Sequence, residues 1–99
     1  MEIRIQAIHF EATDKLQDFI QKKVAKLEKF SDEIRKVEVS LKVVKPETAM
    51  NKEVGIQIPL PGNEIRAEKI GNSFEEAVDE CCDILARQLS KYKEKQKNH

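Results

Sequence analysis

Lys36-Val37-Glu38-Val39-Ser40-Leu41-Lys42-Val43-Val44 decides the architecture, because Val37, Val39, Leu41 and Val43 occupy every second position. A two-residue period puts these side chains on one face of a β-strand and Glu38 and Lys42 on the other. Lys45-Pro46 interrupts the run, since proline has no N–H to give to a ladder. Downstream, Val54, Ile56 and Ile58 repeat the alternation, and Pro61-Gly62-Asn63 carries turn chemistry. Ile65 and Ala67 continue it as a fourth, weaker strand. Upstream, Glu2 to His9 alternates Ile3, Ile5 and Ala7 with Arg4 and Gln6, as a half-buried strand does.

Two segments change period. Leu16, Phe19, Ile20, Val24 and Leu27 recur at three- and four-residue steps, which predicts an amphipathic helix to about Lys29 with Thr13 as its N-cap. After the Gly71-Asn72 break, Ser73 and Glu76 form an S-x-x-E capping box. Phe74, Ala77, Val78, Cys81, Leu85, Leu89 and Tyr92 then hold one apolar face for about five turns, and Glu94 to His99 is a polar tail expected to fray. The order is β-α-β-β-β-α in an α+β domain. Strands joined through a helix should be parallel and connected by a right-handed crossover. Short connections make the remaining strands antiparallel, giving a four-stranded mixed sheet with both helices on one face. The other face, with Arg4, Gln6, Glu38, Lys42, Gln57 and Arg66, should be solvated.

Composition narrows the function classes. Eighteen Lys and Arg balance eighteen Asp and Glu, so net charge gives no support to a polyanionic partner. The N-terminal residues lack the apolar stretch of a signal peptide, and no run approaches the ~20 apolar residues that span a bilayer. Cys81 and Cys82 are adjacent, which suits neither a disulfide framework nor a CxxC site, and a reducing cytoplasm is the expected compartment. His9 and His99 pair with no Cys or Asp at triad or metal-ligand spacing. The isolated glycines form no phosphate loop. Cys81 reads as core filling and Cys82 as the edge of the same face. No enzyme, cofactor, metal, small-molecule substrate or membrane partner is expected.

Charge distribution is more informative than its sum. Helix two opens with Glu75, Glu76, Asp79, Glu80 and Asp83, and from Leu85 onward carries Arg87, Lys91, Lys93, Lys95 and Lys97 against Glu94. Complementing the helix dipole explains part of this order. It does not choose a face, and Arg87, Lys91 and Lys95 follow one stripe at four-residue steps. Helix one has a matching stripe of Lys15, Lys22, Lys26 and Lys29, with Asp18 expected to pair with Lys22. Side by side, the stripes would make one basic strip for a polyanion. Phe19 and Phe74 fall on core faces, so phosphate-directed contact with folded RNA fits better than base stacking.

Lys26-Leu27-Glu28-Lys29-Phe30 resembles the end of helix one in the ribosome hibernation-promoting factor and ribosome-associated inhibitor A family. Leu60-Pro61-Gly62 with Ile65-Arg66-Ala67-Glu68 resembles its strand-turn-strand. Ser73-Phe74-Glu75-Glu76-Ala77-Val78-Asp79 and Leu85-Ala86-Arg87-Gln88-Leu89-Ser90-Lys91-Tyr92-Lys93 resemble its last helix. The resemblance runs from about Met1 to Lys95. It implies a fold similar to double-stranded RNA-binding domains and a single ribosome-binding domain over residues 1–99, as in the short form of the family. It implies a stress or stationary-phase translation inhibitor that binds small-subunit ribosomal RNA in the messenger and transfer RNA channel of bacterial ribosomes. The RNA contacts it implies are Lys22, Lys26, Lys29, Arg87, Lys91 and Lys93. The chain departs at Ile84, where the family often has a basic residue. Off the ribosome the short form is expected to be monomeric. The competing readings are a protein-interaction regulator, since members are also named modulators of an alternative sigma factor, and a general module for folded RNA.

Overall fold

A computed structural model describes residues 1–45, 47 and 50–97. Its elements are β1 (Glu2–Ala7), α1 (Asp14–Ala25) continuing as a 3-10 helix (Lys26–Phe30), β2 (Lys36–Val43), β3 (Lys52–Leu60), β4 (Asn63–Gly71) and α2 (Phe74–Lys97). The strands form one sheet in the order β1-β2-β3-β4. β1 and β2 are parallel, with Ile3 opposite Val37 and Ile5 opposite Val39; the other two pairs are antiparallel. β4 therefore runs in the same direction as β1. Each of these strands is followed by a helix that returns along the sheet, so α1 and α2 run parallel to one another. Three contacts in sequence order bear this out. The Phe10 and Phe74 rings stack at the helix starts with centroids 5.2 Å apart. Lys23 reaches Asp79 midway, and the Tyr92 hydroxyl donates to Glu33 at 2.6 Å beyond the 3-10 helix.

Alternation becomes burial as expected. Val37, Val39 and Leu41 of β2, Val54, Ile56 and Ile58 of β3, and Ile65 and Ala67 of β4 are all buried under the helices. Ile20, Val24 and Leu27 meet them from the first helix, and Phe74, Ala77, Val78, Cys81, Leu85 and Leu89 from α2. Both caps form. Thr13 Oγ1 accepts from the Leu16 N–H and Ser73 Oγ from the Glu76 N–H, each at 3.1 Å. Pro61-Gly62 makes a two-residue turn between the paired Leu60 and Asn63, and Gly62 takes the positive φ of 70° that such a turn requires.

The structure corrects the elements at four places. β1 ends at Ala7 rather than His9, because His9 sits at φ 65°, outside strand geometry. The α-helix stops at Ala25, and its last turn tightens into the 3-10 helix that carries Lys26 and Lys29. Val43 is not a core residue and is 37% exposed, since β1 ends opposite Leu41 and leaves Val43 without a neighbour on that side. β4 spans nine residues, as many as β3. Its pattern looked weak because Lys69, paired with Val54, takes a helix-side position while Ile70 is 44% exposed on the open face. Pro46 and the end of the tail at Asn98 and His99 lie outside the described residues.

The open face is solvated and pairs its own charges. Arg4 meets Glu2 at 3.3 Å, Lys36 meets Glu38 at 3.0 Å, and Arg66 meets Glu68. Lys42 lies opposite Glu53 in the ladder. Among the described residues no helix is long and apolar enough to cross a membrane.

Candidate nucleic-acid interface

Parallel helices determine which charges meet. The lysines of the first helix come alongside α2 at the same level of the sheet, and a cleft of about 200 Å³ separates them. Leu27, Phe30, Cys82 and Ala86 contribute apolar surface to it. Lys26 and Lys29 stand on one side, with Asp79 and Asp83 on the other. Lys23 closes one end by donating to Asp79 at 2.8 Å. That hydrogen bond and the Asp79 charge raise the Lys23 pKa. The Lys29 ammonium lies 5.3 Å from the centroid of the Phe30 ring.

Of the residues singled out in the sequence, Lys22, Lys26, Lys29, Arg87 and Lys91 are all exposed. Only Lys26 and Lys29 share the cleft. Arg87 and Lys91 continue the Asp79–Asp83 stripe of α2 beyond it. On the neighbouring flank of that helix, Gln88 turns toward the sheet and donates to the Arg66 carbonyl of β4 at 3.3 Å. The bases of the two helices thus share one layer but do not merge into one unbroken strip, because Asp79 and Asp83 stand beside Lys26 and Lys29. The side chain of Lys93 lies outside the described residues, as do those of Lys95 and Lys97.

The expected Asp18–Lys22 pair does not form, and the next lysine, Lys23, pairs across to α2 instead. Lys23, Phe30 and Asp83 were missed as members of a site. Their signal was the strand count: an α-connected parallel pair followed by two hairpins makes the helices parallel and sets residues near 26 beside residues near 83. Cys81 is fully buried, and its thiol points at the Val54 carbonyl, 3.6 Å away. Burial pushes its pKa up to about 12. Cys82, 9% exposed at the cleft, is pushed up to about 11 by burial and then by Asp79. Neither is an activated nucleophile. His9 is exposed. Among the described residues no three His, Cys, Asp or Glu side chains cluster to hold a metal ion.

These features define a class: a small two-layer α+β domain whose sheet face is self-paired and whose helix layer presents exposed bases, most of them without an ion pair among the described residues, around an interhelical cleft. The family model described as "Sigma 54 modulation protein / S30EA ribosomal protein" matches residues 3–97, and the chain belongs to that family. It is 37% identical over 99 residues to the ribosome hibernation promoting factor of Escherichia coli K12, covering all of both chains. To the factor of the same name from Pseudomonas putida it is 35% identical over 98 residues, covering 99% of this chain and 92% of the relative. The N-terminal domain of Thermus thermophilus Protein Y superposes with a TM-score of 0.78 at 28% identity, over 93% of this chain and 99% of that one. A ribosomal subunit interface protein from Coxiella burnetii gives 0.78 at 26% identity, over 94% and 98%.

Proposed function

We propose that this protein is a ribosome-associated hibernation factor of the bacterial cytoplasm. It binds small-subunit ribosomal RNA in the channel for messenger and transfer RNA and so blocks translation under stress or in stationary phase. The observation that carries the reading is the full-length similarity to hibernation promoting factors. The exposed bases of both helices support it. Lys22, Lys26, Lys29, Arg87, Lys91 and Lys93 are the proposed phosphate contacts, with the guanidinium of Arg87 able to engage a phosphate through two parallel hydrogen bonds. The protein acts by occupancy and not by turnover, needs no cofactor, and is a monomer off the ribosome.

Gradient sedimentation with purified small subunits and whole ribosomes tests this. The protein should travel with both, and pre-bound messenger and initiator transfer RNA should displace it. Protein that stays at the top of the gradient would instead favour a protein-interaction regulator. Undiminished binding to channel-filled ribosomes would place the contact elsewhere.

A further inference from the structure

The cleft between the helices is poorly built for a phosphate backbone alone. Such a backbone wants bases on both walls, and this cleft has Lys26 and Lys29 on one wall and carboxylates on the other. Asp79 is already engaged by Lys23 at 2.8 Å. Asp83, one helical turn on, makes no ion pair among the described residues, although Arg87 follows it by four positions. Leu27 and Cys82, both nearly buried, contribute apolar surface between the walls, together with the half-buried Phe30 and Ala86. A ligand that satisfies this arrangement has an anionic end, a flat apolar body and hydrogen-bond donors at the far end. A nucleotide has this form.

We propose that the cleft receives one unstacked guanine nucleotide of the bound RNA, its phosphate on Lys26 and Lys29 and its base edge on the Asp83 carboxylate. This rests on the reading that the helix layer meets RNA, and it adds a base-reading element to what would otherwise be sequence-blind phosphate contact. Guanine is selected because a carboxylate only accepts hydrogen bonds. Of the four bases, guanine alone offers two parallel N–H donors, N1–H and an N2 hydrogen, that one carboxylate can take together. A bidentate contact of this kind discriminates against other bases by roughly fivefold or more. The scarcity of exposed rings does not count against it, because the base is held by its edge and by the apolar surface of Leu27, Phe30, Cys82 and Ala86.

The test is a backbone-amide NMR titration of the intact protein with the four 5′-mononucleotides and with inorganic phosphate, for the wild type and Asp83→Asn. The expected result is that 5′-GMP shifts the amides of residues 26–30 and 82–86, binds at least about fivefold tighter than 5′-UMP, and slows alkylation of Cys82 at the cleft. Asp83→Asn should remove the preference for GMP while tightening inorganic phosphate. Equal affinities for all four nucleotides, no shifts in the cleft, or an Asp83→Asn protein that binds GMP more tightly would each overturn the proposal. Ribosome sedimentation of Asp83→Asn separates the two readings. A variant that still sediments, or sediments more strongly, while GMP shows no preference leaves the ribosome-binding function standing and removes only the guanine site.

Discussion

Replacing Arg87 by Glu tests the helix layer most directly, because its cost can be worked out before it is measured. Five described bases, Lys22, Lys26, Lys29, Arg87 and Lys91, are exposed on this layer. Each phosphate contact contributes ~0.7–0.9 to the slope of log affinity against log salt, so these five together with Lys93, the sixth proposed contact, give a slope of about 5. A fourfold rise in salt should then weaken wild-type binding by roughly a thousandfold. Arg87→Glu should flatten the slope by about one contact. It should also weaken binding by about ten- to a hundredfold, the range for losing a charge-assisted hydrogen bond. Folding should hardly change, since exposed substitutions of this kind stay within about 0.5 kcal/mol.

The controls come from the open face. Arg66 is paired with Glu68 and Lys42 lies opposite Glu53, so Glu at either position should leave ribosome affinity within about twofold. The assay is fluorescence-anisotropy titration of labelled protein with small subunits across a salt series, with thermal melts to confirm folding. Equal losses from Arg66→Glu and Arg87→Glu would show that the contact surface has been assigned to the wrong layer. A folded Arg87→Glu protein with wild-type affinity and slope would remove the main argument for a phosphate contact there.

With its pKa near 11, Cys82 should be only about 0.1% thiolate at pH 8, so its alkylation should run about a hundredfold slower than that of a free cysteine, timed with iodoacetamide. Both thiols have folded pKa values raised above the unfolded value near 9. Their contribution to stability is therefore complete below pH 9 and is lost as pH rises toward 11–12. Unfolding free energies from denaturant melts should fall by roughly 1–2 kcal/mol per thiol by pH 10, and a Cys81→Ala, Cys82→Ala protein should lose that dependence. Leu41→Ala should cost ~2–5 kcal/mol and Val43→Ala under ~1 kcal/mol, because Leu41 is fully buried and Val43 is 37% exposed; urea melts separate the two. Gly62→Ala should cost about 1 kcal/mol in the same melts, as the turn holds φ at 70°.

Local chemistry made the fold legible, and non-local geometry hid part of the site. The alternation of Val37, Val39 and Leu41, the Thr13 and Ser73 caps and the Pro61-Gly62 turn each act within a few residues, so the sequence displays them directly. Val43 has the same alternation and still faces solvent, because its burial depends on how far β1 extends beside it. β4 looked weak for a related reason: Lys69 and Ile70 exchange the expected polar and apolar sides at its end. A helical wheel orders the lysines around α1 but carries no information on how the two helices slide and turn against each other. That offset is what joins Lys23 to Asp79, 56 positions away, in place of an Asp18–Lys22 pair.

The same geometry decides how the chain's balanced charges are distributed. Three bases of the open face are bound to acids two residues away along their own strands, so that face presents little field to a polyanion. Helix acids collect at the starts of α1 and α2, and because the helices are parallel both starts lie at the end marked by the Phe10–Phe74 stack. The bases collect at the other end, around Lys26, Lys29, Arg87 and Lys91. Dipole complementarity, which acts on each helix separately, therefore runs the same way in both, although Asp79 and Asp83 of α2 still stand beside Lys26 and Lys29. In an antiparallel pair the same two charge gradients would cancel. A neutral chain can thus present a basic surface without an excess of lysine, and the topology that allows this is set by the number and order of its strands.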